Sequence, residues 1–172
     1  HNQAMIIINL TPGLGNQMFQ FALEKSLSLS KNTPLLMYKQ DKYDERSKGD
    51  FELEKVFNTG TCIATPKELK EVLGLQSSQK IMKILRSRKL GFLRNANYVV
   101  EPSFAYYQKV FDCPNSAFVR GFWQSERYFS SIRKELLIDF SFDKSLSTQN
   151  LQVLEKLKGK TSVSIHIRRG DY

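Results

Sequence analysis

A short apolar run, followed by a glycine-containing loop and an amphipathic segment, constrains the fold of this chain more than any other feature. Residues 5–10 (MIIINL) are apolar on both faces, which is typical of a strand buried inside a parallel sheet. The loop after them contains Gly13 and Gly15, and from Gln17 onward apolar residues recur at helical spacing. The sequence therefore predicts a strand, a glycine loop and a helix in succession.

Further strand and helix signals alternate along the chain. Residues 32–34 (NTP) end the first helix, and residues 35–38 (LLMY) predict a second strand in a right-handed strand–helix–strand unit. Two additional strands are predicted, over residues 117–122 and 162–167. Four additional helices are predicted: one that begins at Pro66, one over residues 78–88, one from Ser125 to about Leu137, and one over residues 146–157. Residues 39–49 predict a charged loop. This alternation predicts an α/β fold.

The domain organisation follows from the same pattern. Residues 1–4 precede a methionine that opens the first strand, and we interpret them as a tag remnant. The parallel strand predicted over residues 162–167 has no following helix, which would leave one of its faces uncovered, so we expect the sequence to end inside a domain.

Several classes of protein are excluded by what the 172 residues lack. No apolar run approaches the roughly 18 to 20 residues that cross a bilayer, and no secretory signal is recognisable, so we expect a cytoplasmic protein. Cys62 and Cys113 lie far apart without a CxxC pattern, which predicts neither a zinc site nor a disulfide framework.

The formal net charge of +9 is compatible with a nucleic acid, an anionic membrane or a phosphorylated small molecule. The helix predicted over residues 78–88 carries much of this charge around Ile81, Ile84 and Leu85. Its basic residues, with the one that follows, are Lys80, Lys83, Arg86, Arg88 and Lys89. The pattern predicts either a solvated helix face or a peripheral contact with an anionic membrane.

The glycine loop is the first candidate site. Gly13, Gly15, Asn16 and Gln17 follow a strand and open a helix, where α/β proteins bind ligands. A nucleotide-binding P-loop would need a Gly-Lys-Ser or Gly-Lys-Thr ending, and a dinucleotide fingerprint would need a glycine in place of Met18. From the loop alone, a ligand contact and a tight turn are equally good explanations.

Residues 166–171 (HIRRGD) are a more specific candidate. His166 and Arg168 share one face of the predicted strand, with Arg169 on the other face or in the loop. A planar guanidinium can bond two oxygens of a diphosphate at once. Asp171 can hold an arginine in place or accept from ribose or base donors. A surface ion pair at a strand end is the alternative interpretation.

Three ordered segments carry a family resemblance. Residues 13–22 (GLGNQMFQFA), 121–129 (GFWQSERYF) and 166–172 (HIRRGDY) resemble landmarks of the bacterial α-1,2-fucosyltransferases, glycosyltransferase family 11. Residues 51–57 (FELEKVF) resemble a less strict segment of that family. The resemblance implies a GT-B arrangement of two Rossmann-like lobes. This chain would then hold the N-terminal α/β lobe over residues 5–158 and the first strand of a truncated donor-binding lobe over residues 159–172.

The resemblance also implies a reaction and a set of site residues. The family transfers L-fucose from GDP-β-L-fucose to the 2-hydroxyl of a galactoside with inversion, and uses neither a metal nor another cofactor. Arg168 matches the position most strongly associated with the donor diphosphate and is the predicted catalytic residue. The other implied residues are His166, Arg169 and Asp171 at the donor, and Gly13, Gly15, Asn16 and Gln17 near the donor or the acceptor.

The implied partners are GDP-fucose and a galactose-terminated glycan, which in surface-glycan (lipopolysaccharide) synthesis is lipid-linked. The protein would then lie at the inner face of the bacterial inner membrane, and no nucleic acid is expected. Two alternatives stay open. One is a basic module that binds nucleic acid or an anionic membrane through residues 80–94, and the other is a fragment that binds sugar nucleotides without catalysis.

Overall fold

The computed structural model describes residues 3–39, 51–57, 59–142, 146–165 and 167. The predicted loop over residues 39–49 therefore lies almost entirely outside the described residues. Contacts within the chain define two units, His1–Ser141 and Phe142–Tyr172. Of the helices in the described residues, none is long and apolar enough to cross a membrane.

A five-stranded parallel sheet forms the centre of the first unit. Its strands are β1 (Ile6–Asn9), β2 (Leu35–Tyr38), β3 (Cys62–Ile63), β4 (Tyr98–Val100) and β5 (Ala117–Arg120). They are arranged in the order β3-β2-β1-β5-β4, and every pairing is parallel. The prediction of an α/β fold with a parallel sheet is confirmed, as are the strands β1, β2 and β5. The two short strands β3 and β4 were not predicted.

Strand β1 is central because its side chains are buried on both faces of the sheet. Ile6, Ile7 and Ile8 are fully buried. Ile7 is in register with Leu36 of β2 and Phe118 of β5. Ile6 and Ile8 belong to one hydrophobic core and Ile7 to another. The chain therefore has a core on each face of the sheet, as a continuous β-branched run predicts.

Helix α1 (Leu14–Lys31) covers one face through Phe21, Leu23 and Leu27, which belong to the same core as Ile6 and Ile8. It begins after Gly13 and ends at Asn32, whose left-handed backbone (φ 51°) directs its N–H to the carbonyl of Ser28. An αL residue closes many helices in this way. The predicted first helix and its end are confirmed. The same face also carries the short helix α2 (Leu53–Val56).

Helices α3 (Pro66–Leu73) and α4 (Gln79–Leu85) cover the opposite face. Thr65 and Glu68 form a capping box: the Thr65 hydroxyl accepts from the N–H of Glu68, and the Glu68 carboxylate accepts from the N–H of Thr65 at 2.7 Å. Hydrogen bonds from Thr65 hold the pKa of Glu68 below its ordinary value. The predicted start at Pro66 is confirmed. Helix α4 is shorter than predicted, because a 3₁₀ segment over Arg88–Leu93 forms separately.

The single helix predicted from Ser125 to about Leu137 is wrong. The structure has 3₁₀ turns at Glu126–Tyr128 and Ser130–Ile132, followed by helix α5 (Arg133–Asp139). The Ser125 side chain forms no capping hydrogen bond. Phe129, with φ −142°, interrupts the helical path between the turns, while Tyr128 is buried against Trp123. Burial of these rings overrides the local helix signal.

The second unit contains helix α6 (Thr148–Leu157), which begins with a hydrogen bond from the N–H of Asn150 to the Ser147 hydroxyl. The predicted helix is confirmed. The strand predicted over residues 162–167 is not observed at residues 161–165 or 167. A strand requires a paired neighbour, and no described residue pairs with this segment. The lobe boundary predicted after residue 158 lies inside this second unit.

A carboxyl group of helix α1 is fully buried with a hydrogen bond to only one of its two oxygens among the described residues. Glu24 of α1 has no exposed surface, and its Oε1 accepts from the N–H of Leu36 at 3.3 Å. Its Oε2 has no hydrogen-bond partner among the described residues. Burial raises the pKa of Glu24 well above its ordinary value, and the bond from Leu36 opposes that rise.

We predict that Glu24→Gln changes the pH dependence of stability. A raised native pKa means that the folded state binds the proton more tightly than the unfolded state, so this contribution is present at acid pH and is lost as the pH rises through the native pKa. As the pH rises above the ordinary carboxyl range, the free energy of unfolding of the parent should therefore fall relative to that of Glu24→Gln. The difference should reach about 1–3 kcal/mol at neutral pH.

Urea unfolding from pH 4 to pH 8 measures this difference. Glu135→Gln, which changes an exposed carboxylate on α5, is the control and should follow the parent at every pH. A difference between Glu24→Gln and the parent that does not vary with pH would contradict the prediction.

Candidate functional site

The segments that carry the family resemblance within the described residues meet at one edge of the sheet. Strands β1 and β5 are adjacent and parallel, so the loops that leave their carboxyl ends lie side by side. The strand order also changes direction at β1, with β2 and β3 on one side and β5 and β4 on the other. Open α/β sheets bind ligands in the crevice at such an edge.

The glycine loop lies at this edge, where the sequence predicted it. Gly13 precedes α1 with φ +92°, a conformation that a residue with a side chain rarely adopts. Gly15 lies in the first turn of α1 and is exposed, and a Cβ added there would meet nothing within 4 Å. The first turn carries no acidic residue and no side-chain cap. This leaves the N–H groups of a long helix directed at the crevice.

Asn16 and Gln17 connect the loop to neighbouring segments. The Asn16 amide donates to the carbonyl of Pro12 at 2.9 Å and accepts from the Nε2 of Gln124 at 2.8 Å. Gln17 is buried, and its Oε1 accepts from the N–H groups of Glu52 and Leu53 at 2.9 and 3.0 Å. Both residues thus support the loop. Their predicted place beside donor or acceptor stays a prediction.

Gln20 was missed by the sequence analysis and joins the two strand ends. Its side chain has no exposed surface. The Nε2 donates to the Thr11 hydroxyl and to the carbonyl of Gly121, each at 2.8 Å, and the Oε1 accepts from the N–H of Thr11 at 3.0 Å. The loop after β1 and the loop after β5 are therefore held by one amide. Its position one helical turn beyond Gln17, on the same helix face, was the available signal.

Glu101, at the end of β4, holds the loop after β5. Its carboxylate accepts from the N–H of Phe122 at 2.7 Å and from the N–H of Trp123 at 3.1 Å. Burial raises the pKa of Glu101, and these two N–H donors oppose the rise. Nothing in the sequence around Glu101 indicates this contact, because its partners are backbone groups about twenty residues away.

The Trp123 side chain anchors the same loop from inside. It is fully buried although its backbone has φ +57°, and its ring meets Tyr128 edge-on at 5.6 Å. The Tyr128 hydroxyl accepts from the N–H of Tyr107 at 2.8 Å. An unfavourable backbone conformation persists when its surroundings fix it. Here the aromatic packing and the Glu101 hydrogen bonds provide that constraint.

An apolar cleft of about 220 Å³ lies next to the glycine loop. It is lined by Gly15, Met18, Phe19, Ala22, Phe129 and Phe140. Helix α1 forms one wall with residues of the resemblance segment, and Phe129 ends the segment that follows β5. Two of the segments that carry the family resemblance therefore form most of the cleft beside Gly15, and Phe140 completes its lining.

The remaining predicted site residues divide into two groups. His166, Arg168, Arg169 and Asp171 lie outside the described residues, so their donor-site assignment stays a prediction. The basic residues predicted to contact a membrane are exposed on two elements, Lys80 and Lys83 on α4, and Arg86, Arg88 and Lys89 at or beyond its end. Among the described residues, no three His, Cys, Asp or Glu side chains form a group that could hold a metal ion.

We predict that Gly121→Ala destabilises the fold by about 1–3 kcal/mol, the usual cost of forcing extra volume into a packed site. A Cβ at residue 121 would lie 2.4 Å from the Cβ of Glu101 and 2.8 Å from the Trp123 ring, and neither can move without breaking the loop contacts. Gly15→Ala is the matched control, because it adds the same atom in open space. Urea unfolding of both variants measures the difference, and equal midpoints would contradict the packing argument.

The chain is similar to known glycosyltransferases along its whole length. The sequence model of the family described as "Glycosyl transferase family 11" matches residues 5–172. An alpha-1,2-colitosyltransferase of Escherichia coli is 29% identical over 170 residues, which cover 98% of this chain and 56% of that protein. The O-antigen biosynthesis glycosyltransferase WbnK of Escherichia coli is 27% identical over 177 residues, which cover 95% of this chain and 58% of that protein.

This chain therefore spans little more than half the length of these relatives. No solved structure matches it. Two observations agree with the match over residues 5–172. The resemblance segments 13–22, 51–57 and 121–129 follow one another in the expected order, and they contact one another at one edge of the sheet. The chain belongs to glycosyl transferase family 11.

Proposed function

We propose that the complete protein transfers L-fucose from GDP-β-L-fucose to the 2-hydroxyl of a galactoside in a surface glycan, with inversion and without a metal. The observation that carries this proposal is the family match over residues 5–172. The names of the two relatives, a colitosyltransferase and an O-antigen glycosyltransferase, support a glycan acceptor at the cell surface. Colitose is the competing donor sugar, and a donor comparison separates the two.

The parallel sheet supports the proposed N-terminal lobe. A parallel sheet with a core on each face suits the N-terminal lobe of a GT-B enzyme, and residues 159–172 are assigned to the donor lobe. In that arrangement the acceptor and the donor meet above the carboxyl edge of the sheet. The loop containing Gly13 and Gly15 lies at that edge.

Arg168 has the proposed catalytic role. Negative charge develops on the diphosphate as the bond to the sugar breaks, so a guanidinium at the β-phosphate binds the transition state more tightly than the ground state. His166, Arg169 and Asp171 are proposed to orient the same diphosphate or the nucleoside.

Gly15 has the proposed role of admitting a ligand to the edge of the sheet. Its backbone is helical, and the described surroundings leave room for a side chain. Neither backbone conformation nor internal packing therefore requires glycine at this position. Close approach of a substrate to the first turn of α1 would require it.

We also propose a cytoplasmic location with a peripheral contact to the inner face of the membrane. Lys80 and Lys83 are exposed on α4, next to Ile84, which is 56% exposed. Basic side chains around an exposed apolar group suit an anionic lipid surface.

Anionic vesicles should retain the parent protein and release the double variant Lys80→Gln/Lys83→Gln. Equal retention of the parent and the double variant would contradict this contact.

We predict that Arg168→Ala lowers turnover of the complete protein by about a hundredfold to a thousandfold, as the loss of one group that stabilises transition-state charge does. The KM for the acceptor should change little. Lys134→Ala, which removes an exposed cation of α5, is the control and should keep normal turnover. The assay measures release of GDP from GDP-fucose, with the nucleotide-activated colitose in parallel. Normal turnover by Arg168→Ala would contradict the assignment.

We predict that Gly15→Ala separates stability from activity. Alanine in place of glycine inside a helix raises the free energy of unfolding by about 0.5–1 kcal/mol, whereas a side chain in the ligand's path should lower kcat/KM at least about tenfold. Ser30→Ala, at the exposed far end of α1, is the matched control and should leave kcat/KM unchanged. A stabilised Gly15→Ala protein with full activity would remove the loop from the proposed site.

A further inference from the structure

A second cleft, of about 200 Å³, lies at the carboxyl ends of β4 and β5. Its charged and aromatic lining consists of Arg86, Arg88, Arg120, Glu101, Phe104 and Phe122. It shares no lining residue with the apolar cleft beside Gly15. The proposed function leaves this cleft without a role.

The three guanidinium groups of the cleft are not neutralised within the described part of the chain. None of Arg86, Arg88 and Arg120 forms a side-chain hydrogen bond or an ion pair with a described residue. Among the described lining residues Glu101 is the only acidic one, and its two oxygens already accept from the N–H groups of Phe122 and Trp123. The cleft therefore carries a net positive charge that an anion could balance.

The backbone that carries these arginines is held in place. The Arg94 side chain donates to the carbonyl of Leu85 at 2.9 Å and to the carbonyl of Ser87 at 3.1 Å, so it fixes the turn that contains Arg86. Arg120 is the last residue of β5, and its carbonyl accepts from the N–H of Glu101 at 2.8 Å. A fixed backbone confines the entropy cost of binding an oxyanion to the arginine side chains themselves.

An aromatic pair borders the same cleft. The rings of Phe104 and Phe122 are stacked, with centroids 5.7 Å apart and planes inclined by 23°. Phe104 is 71% exposed, so its outer ring face is open to a ligand. An exposed aromatic face is apolar and can contact the C–H face of a sugar ring, and a guanidinium binds a carboxylate or phosphate through two parallel hydrogen bonds. The cleft presents both groups together.

We propose that this cleft binds a saccharide that carries an oxyanion, with the carboxylate or phosphate on Arg86, Arg88 and Arg120 and the sugar ring against Phe104. The role as part of the glycan acceptor rests on the proposed function, whereas the binding itself does not. Arg86 and Arg88 also belong to the predicted membrane contact, and the stacked aromatic pair beside the arginines favours a saccharide over a lipid surface. The negative charge has two sources, a uronic acid or a sugar phosphate.

Isothermal titration calorimetry tests the proposal with the whole protein and saturating GDP, which occupies the proposed donor site. The probes are methyl glucuronide, galactose 1-phosphate, inorganic phosphate and the uncharged methyl galactoside. At least one charged saccharide should bind at least about tenfold more tightly than methyl galactoside, which is the scale of one charge-assisted contact. Which charged saccharide binds more tightly identifies the source of the charge.

Variants assign the binding to this cleft. Arg88→Gln, in an exposed turn, and Arg120→Gln should each weaken binding of the charged saccharide about tenfold or more. Phe104→Ala should weaken binding of the charged saccharide but not binding of inorganic phosphate. Lys134→Gln removes an exposed cation of α5 outside the cleft and should leave the affinity unchanged. Thermal midpoints of all variants identify any that fail to fold.

Three results would overturn the proposal: no charged saccharide binds, methyl galactoside binds equally well, or the arginine variants bind like the parent. Anionic vesicles that bind through Arg86 and Arg88 while no saccharide does would assign the cleft to the membrane instead. Failure of the proposed function would be recognised separately, because loss of transfer from GDP-fucose to an uncharged galactoside leaves the calorimetric result unaffected.

Discussion

The buried amides of Gln17 and Gln20 on α1 are the interactions on which the functional edge of the sheet depends. An amide buried without partners costs several kcal/mol, so its hydrogen bonds fix the positions of the groups that satisfy it. Gln17 fixes the segment at residues 52 and 53, and Gln20 fixes the loops after β1 and β5. One helix therefore determines how three segments distant in sequence meet.

This arrangement gives a physical reason for the order of segments by which the family is recognised. The glutamines of residues 13–22 require backbone partners in residues 51–57 and 121–129, and Gly121 admits no side chain because of Glu101 and Trp123. The recognisable residues are thus largely a scaffold. Gly15 differs, because neither its conformation nor its packing against the described residues requires glycine. The proposed site accordingly lies over Gly15, with the scaffold beneath it.

The sequence predicted those features that depend on local pattern. The buried run of β1, the helix start at Pro66 and the helix end at Asn32 each have a signal within a few residues. Strand β3 has only two residues and strand β4 three, so they carry too little pattern to recognise. The helix predicted after Ser125 is divided because Trp123 and Tyr128 must be buried together. The contacts of Glu101 and the cleft at Arg120 arise from neighbouring strands and have no local signal.

The most direct test of the account is the thermal unfolding of the complete protein with GDP-fucose, GDP, UDP-galactose or ATP. A ligand that binds only the folded state stabilises it by mass action, by about 2.7 kcal/mol at a hundred times its Kd. The account predicts that GDP-fucose and GDP raise the midpoint, that UDP-galactose and ATP do not, and that Arg168→Ala loses the effect. Equal stabilisation by UDP-galactose or ATP, or an unchanged response of Arg168→Ala, would contradict a guanine-nucleotide donor bound through Arg168.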